Sequence, residues 1–127
     1  MHVGGHSQGG GHVALLALDA PVTRVCLLAS PIDGAERPTV RGADWTAHPD
    51  WATPLEARRA VIHPLDPGFA KARANFEAMG MVEGTHWRRL EIDVPAREAH
   101  GAVVKSEDPA AVAARRWACF EGGAAGR

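Results

Sequence analysis

The stretch HVGGHSQGGG (residues 2–11) surrounds a single serine with glycines, and the interpretation of the chain depends on it. Within it, Gly5-His6-Ser7-Gln8-Gly9 has the form G-x-S-x-G and directly precedes an Ala- and Leu-rich run at 12–18. That run predicts a helix buried against a sheet. A serine on a sharp strand-to-helix turn has a strained backbone and needs very small residues two positions away, a need that Gly5 and Gly9 meet. The alternative is a glycine-rich turn whose serine only caps the helix.

The residues after this helix alternate between strand and helix patterns. Residues 22–29 are continuously apolar from Val25 onward, which is typical of a strand covered on both faces in a parallel sheet. Further strands are predicted at 59–63 and 87–94, and further helices at 69–79 and 109–120. Asp66 is expected to cap the first of these helices, and Glu107 or Asp108 lies at the start of the second. We therefore predict an α/β fold with a parallel sheet and flanking helices, in one domain over 1–127.

Two segments lack such patterns. Residues 35–57 contain three prolines and two tryptophans, Trp45 and Trp51, without a sustained period. A long excursion of this kind forms a lid or pocket wall in many α/β proteins, and the alternative is a surface insertion anchored by its tryptophans. The last residues, 122–127, are Gly- and Ala-rich and are expected to form a flexible tail.

Composition excludes several classes of protein. The 127 residues are 46% hydrophobic and 23% charged, with 14 Lys and Arg against 15 Asp and Glu, so the net charge is -1. Because positive and negative charges nearly balance, the composition gives no reason to expect a nucleic acid or an anionic membrane as partner. No apolar run approaches the ~20 residues of a membrane span. Two cysteines, Cys26 and Cys119, are too few for a disulfide framework, so we expect buried thiols in a cytoplasmic protein.

The G-H-S-Q-G-G stretch resembles the nucleophile elbow of the α/β-hydrolase family, and the resemblance extends over the strand that ends ASPID (residues 29–33). In that family the catalytic order is Ser, acid, His, with the acid and the His after the last two strands. The resemblance implies Ser7 as nucleophile, Asp66 as acid and His100 as base, with the backbone N–H of Gln8 in the oxyanion hole. Asp33 is the alternative acid, because it follows the strand at 22–29, which is where some members of the family have their acid.

The other candidate groups have weaker cases. His6 matches a family residue that packs beneath the turn and is interpreted as structural, and His12 as a core residue. His63 either lines the site near Asp66 or only hydrogen-bonds its loop. Asp93 falls within the predicted last strand and is interpreted as a surface carboxylate. The His, Cys and acidic residues show no zinc-ligand spacing, so neither a metal nor another cofactor is expected.

The resemblance implies a serine hydrolase of small-molecule carboxylic esters, with amides or thioesters less favoured. Trp45 and Trp51 then either wall an acyl pocket or serve in packing. A complete fold of this family needs roughly 200–300 residues, so the resemblance covers only its second half. We therefore expect a truncated α/β-hydrolase fragment without the N-terminal strands and without the loop that supplies the second oxyanion donor. The alternative function is a non-catalytic fragment or interaction module that self-associates through the exposed sheet edge at 2–4.

Overall fold

The computed structural model describes residues 2–32 and 51–121, apart from the side chain of Gln8. The predicted excursion at 35–57 is therefore described only from residue 51 onward, and the predicted tail at 122–127 lies outside the described residues. Asp33 and Trp45 also lie outside them, so their predicted roles stay predictions.

The described residues form four strands and four α-helices. The strands are β1 (His2–His6), β2 (Arg24–Leu28), β3 (Arg58–Ile62) and β4 (Trp87–Arg89). The helices are α1 (Gln8–Asp19), α2 (Phe69–Ala78), α3 (Ala96–Lys105) and α4 (Pro109–Phe120). A short 3-10 turn at Leu55–Ala57 leads into β3. Within the described ranges, none of the helices has the length and apolar character needed to cross a membrane.

The strands form one parallel sheet in the order β1-β2-β3-β4. Helix α1 packs on β1 and β2, whereas α4 packs on β2 and β3. Each face of the sheet carries its own apolar core, so Val25 and Leu27 contribute to one and Cys26 to the other. Burial on both faces is the reason β2 is a continuous apolar run. The predicted α/β class with a parallel sheet is confirmed.

The parallel arrangement brings three separate segments together where the strands end, at the carboxyl end of the sheet. Ser7 follows β1, the loop at 63–68 follows β3, and α3 follows β4. Because the strands run in the same direction, their carboxyl ends share an edge, which is where open α/β sheets bind their ligands.

Two predicted elements differ from the observed ones. The last strand, predicted over 87–94, has only three residues, because its partner β3 ends at Ile62 and Leu90 makes the last bond to it (N–H to carbonyl, 2.9 Å). Asp93 lies beyond the strand and is exposed, which agrees with its interpretation as a surface carboxylate. Helix α3 was not predicted. Its buried side chains, Ala99, Ala102 and Val103, lie on one face of a strongly amphipathic helix, and this pattern is the signal that predicts it.

The expectation of two buried thiols is wrong. Cys26 of β2 and Cys119 of α4 form a disulfide, with their Cα atoms 5.1 Å apart. Disulfides are rare in cytosolic proteins, so the cysteines no longer argue for a cytoplasmic location. Arg24 makes a second link between the same elements, since its Nη1 donates to the carbonyls of Trp117 (3.3 Å) and Ala118 (3.0 Å) at the end of α4.

We expect reduction of this disulfide to destabilise the fold. The bond joins residues 93 positions apart, and a cross-link over so long a loop removes much entropy from the unfolded chain. The free energy of unfolding in urea should fall by about 2–4 kcal/mol when dithiothreitol is added. Cys119→Ser is the control, because its free energy of unfolding should already have the lower value and should not change when dithiothreitol is added. Equal stability of oxidised and reduced wild type would contradict the prediction.

Candidate active site

Ser7 occupies a sharp turn between β1 and α1. Its backbone has φ 57° and ψ -125°, a region that non-glycine residues rarely adopt. The turn is held on both sides, because the Ser7 N–H donates to the carbonyl of Leu28 (3.1 Å) and the Ser7 carbonyl accepts from the N–H of Gly10 (3.0 Å). The strain is therefore maintained by the β1–β2 ladder and by the first turn of α1.

The small residues that this turn needs are Gly5 and Gly10. A Cβ on Gly5 would lie 2.5 Å from the carbonyl carbon of Gly9, and one on Gly10 would lie 2.8 Å from the Cβ of Ser30. The predicted steric need at Gly9 is wrong, since a Cβ there meets nothing within 4 Å. Gly9 is exposed on α1, and it is its backbone, rather than its missing side chain, that approaches Gly5.

A continuous hydrogen-bonded chain joins three of the predicted site residues. His100 Nε2 lies 2.8 Å from Ser7 Oγ, and His100 Nδ1 lies 2.7 Å from Asp66 Oδ2. A carboxylate only accepts hydrogen bonds, so Nδ1 carries the imidazole proton and Nε2 is free to accept from the serine hydroxyl. The Asp66 side chain is 2% exposed and that of His100 is 34% exposed, so the carboxylate is buried while the imidazole is partly exposed.

Asp66 is held by the loop between β3 and α2. Its second oxygen, Oδ1, accepts from the N–H of Gly68 (2.8 Å), so both carboxylate oxygens have a donor. The predicted helix cap at Asp66 is wrong, because α2 begins only at Phe69 and its Gly68 cap position has no side-chain bond. The side chain closes a local turn instead, and this leaves its other oxygen for His100.

His63 anchors the same loop. It is 4% exposed, its Nδ1 accepts from the N–H of Leu65 (3.0 Å), and its Nε2 donates to the carbonyl of Ile92 (2.8 Å). These two bonds tie the loop that bears Asp66 to the segment that follows β4. Of the two roles left open for His63, the structure favours the loop hydrogen bond.

Two further site predictions concern Gln8 and Trp51. Gln8 is the first residue of α1, where a backbone N–H has no carbonyl partner within the helix and is available to an anion. Trp51 lies at the other end of the sheet, with the guanidinium of Arg58, the first residue of β3, 4.6 Å from its ring centre. Of the two roles left open for Trp51, the structure favours packing over a pocket wall.

A cleft of about 670 Å³ opens beside the imidazole of His100. This volume is in the range of small-molecule sites. Within residues 2–32 and 51–121, no group of three His, Cys, Asp or Glu side chains is placed to hold a metal ion. The cleft is lined by His6, Val94, Arg97, Glu98, His100, Gly101, Ala102, Lys105 and Ser106.

The two helical glycines at 9 and 10 allow a paired test of the turn. We expect Gly9→Ala to raise the free energy of unfolding by about 0.5–1 kcal/mol, because alanine favours the helix and its Cβ meets open space. Gly10→Ala should lower it by about 1–3 kcal/mol, because rotating the Ser30 hydroxyl leaves the Ser30 Cβ too close. Urea unfolding of both variants measures the difference. A Gly10→Ala protein as stable as Gly9→Ala would refute this packing.

No protein-family model, no curated protein and no solved structure matches this chain. The case for a function therefore depends on the geometry of Ser7, His100 and Asp66.

Proposed function

We propose that this protein is a serine hydrolase of carboxylic esters, with Ser7 as nucleophile, His100 as general base and Asp66 as the acid that orients it. The observation that carries the proposal is the hydrogen-bonded chain from Ser7 Oγ through His100 to Asp66 Oδ2, at 2.8 and 2.7 Å. Along the chain, His100 lies 93 positions after Ser7 and 34 positions after Asp66. Local sequence alone gives no reason for three such side chains to meet in this order.

The geometry fits an acyl-transfer mechanism. Ser7 Oγ attacks the ester carbonyl while its proton passes to His100 Nε2, and Asp66 stabilises the resulting imidazolium through Nδ1–H. The backbone N–H of Gln8 donates to the developing oxyanion. His100 then gives the proton to the leaving alcohol, which leaves an acyl group on Ser7. Water attacks this acyl-enzyme with His100 again as base, and the carboxylic acid is released with Ser7 restored.

The strained turn supports the same proposal. A serine in the φ > 0 region between a strand and a helix presents its hydroxyl above the edge of the sheet, as in the nucleophile elbow of α/β-hydrolases. The order of the residues along the chain, Ser7 then Asp66 then His100, is also that of this family. We therefore propose the α/β-hydrolase fold as the specific form of the observed α/β architecture. Amides and thioesters are the other acyl substrates that the same groups serve.

A second function is favoured by one feature of the sheet. Strand β1 pairs with β2 on one side, and none of the described strands pairs with its other edge. An unpaired edge without Lys or Pro is a template for another strand, so β1 suits an interaction module that associates with itself.

A fluorophosphonate probe tests the proposed function. Wild type should be labelled on Ser7, and Ser7→Ala should not be labelled at all. Asp66→Asn should lower the labelling rate about a thousandfold or more, because an amide at this position favours the wrong imidazole tautomer. Asp93→Asn is the matched control, since Asp93 is an exposed carboxylate. The readouts are mass spectrometry of the labelled peptide and hydrolysis of a short activated ester.

The outcomes separate the alternatives. A crippling effect of Asp33→Asn with a mild effect of Asp66→Asn would reverse the choice of acid. A folded wild type that is never labelled would overturn the hydrolase proposal. If such a protein forms dimers or larger species by light scattering, the interaction module becomes the better account.

A further inference from the structure

His6 makes direct contact with the proposed catalytic base. Its Nε2 lies 2.9 Å from the backbone carbonyl of His100, and the two imidazole rings are 4.8 Å apart between centroids. A carbonyl oxygen only accepts, so Nε2 of His6 is the donor. The bond joins residues 94 positions apart. It connects β1 to α3, two elements that make few other contacts with each other.

The position of His6 gives this bond a role beyond packing. His6 and Ser7 are neighbours in the chain, so one dipeptide contacts His100 at two points: its carbonyl through His6 and its Nε2 through Ser7. Asp66 holds the third point, Nδ1. Ser7 and Asp66 hold the two ring nitrogens, and His6 holds the backbone of the same residue, so the contacts together fix the imidazole and the position of α3 relative to β1 at the site.

This restraint acts at the site, whereas Arg115 of α4 restrains the far end of α3 and the buried side chains of α3 itself are small. Its first cap position, Pro95, makes no side-chain cap bond, and its buried side chains are Ala99, Ala102 and Val103. Small side chains bury little apolar area and restrain a helix weakly. The cleft beside His100 is also lined by His6.

We propose that His6 is a positioning residue that holds His100 in register with Ser7 through its Nε2–H. This proposal rests on the proposed function for its effect on rate, but not for its effect on geometry. A glutamine at position 6 keeps an N–H donor at a similar reach, whereas phenylalanine or leucine keeps an apolar side chain without a donor. The role therefore predicts that His6→Gln behaves like wild type and that the other two do not.

The experiment measures two quantities on each variant. The first is the inactivation rate constant of the fluorophosphonate probe, separated from its apparent binding constant. The second is the far-downfield proton resonance of His100 Nδ1–H, identified by its loss in Asp66→Asn. His6→Phe and His6→Leu should lower the inactivation rate constant about tenfold or more with little change in probe binding, because a small displacement of the base is costly. Both should also lose or broaden the resonance.

His2→Leu is the matched control, because His2 is a histidine on the same strand whose recorded ring contact is with Phe120 rather than with His100. It should leave the rate and the resonance unchanged. If His6→Phe does not fold, His6→Leu gives the same comparison. The proposal is overturned if His6→Phe and His6→Leu both keep the wild-type rate constant and resonance. It is also overturned if His6→Gln is as impaired as these two variants. If wild type is never labelled but the resonance responds to position 6 as expected, the hydrolase proposal fails while the positioning role stands.

Discussion

The close approach of α1 to β1 is the constraint on which the rest of the candidate site depends. Gly5 and Gly10 have no room for a Cβ, and this lets the helix begin one residue after Ser7. The serine is thereby forced to φ 57° and its side chain is presented at the edge of the sheet. A Cβ at Gly5 would push α1 away from β1, and one at Gly10 would push it away from Ser30, which follows β2, so close packing at these two glycines sets the position of the hydroxyl.

The burial of the Asp66 carboxylate is the second constraint on the candidate site. Burial of a charge is unfavourable unless hydrogen bonds replace the lost water, and here Gly68 and His100 each donate to one oxygen. His63 fixes the loop that makes these bonds possible, because it ties that loop to the carbonyl of Ile92. Asp66 and His63 therefore form one unit, in which the orientation of His100 depends on contacts that are not made by His100 itself.

The far face of the sheet supports this unit indirectly. Helix α4 is fastened to β2 by the Cys26–Cys119 disulfide and by Arg24, and α3 packs against α4. Arg115 of α4 also donates to the carbonyls of Val103 (3.0 Å) and Ser106 (2.8 Å) at the end of α3. The helix that bears His100 is thus restrained at its end by α4 and near the site by His6.

Features that depend only on neighbouring residues were predictable from local patterns. The G-x-S-x-G turn, the continuous apolar run of β2 and the start of α4 at Pro109, with Asp108 as its observed cap, are all visible as local patterns. The family order also selected Ser7, Asp66 and His100. Three other features depend on contacts in the folded chain: which glycines are crowded, that the two cysteines are bonded, and that His6 and His63 bond the carbonyls of His100 and Ile92. Each of these depends on atoms from distant segments, and a local pattern carries no information about such distances.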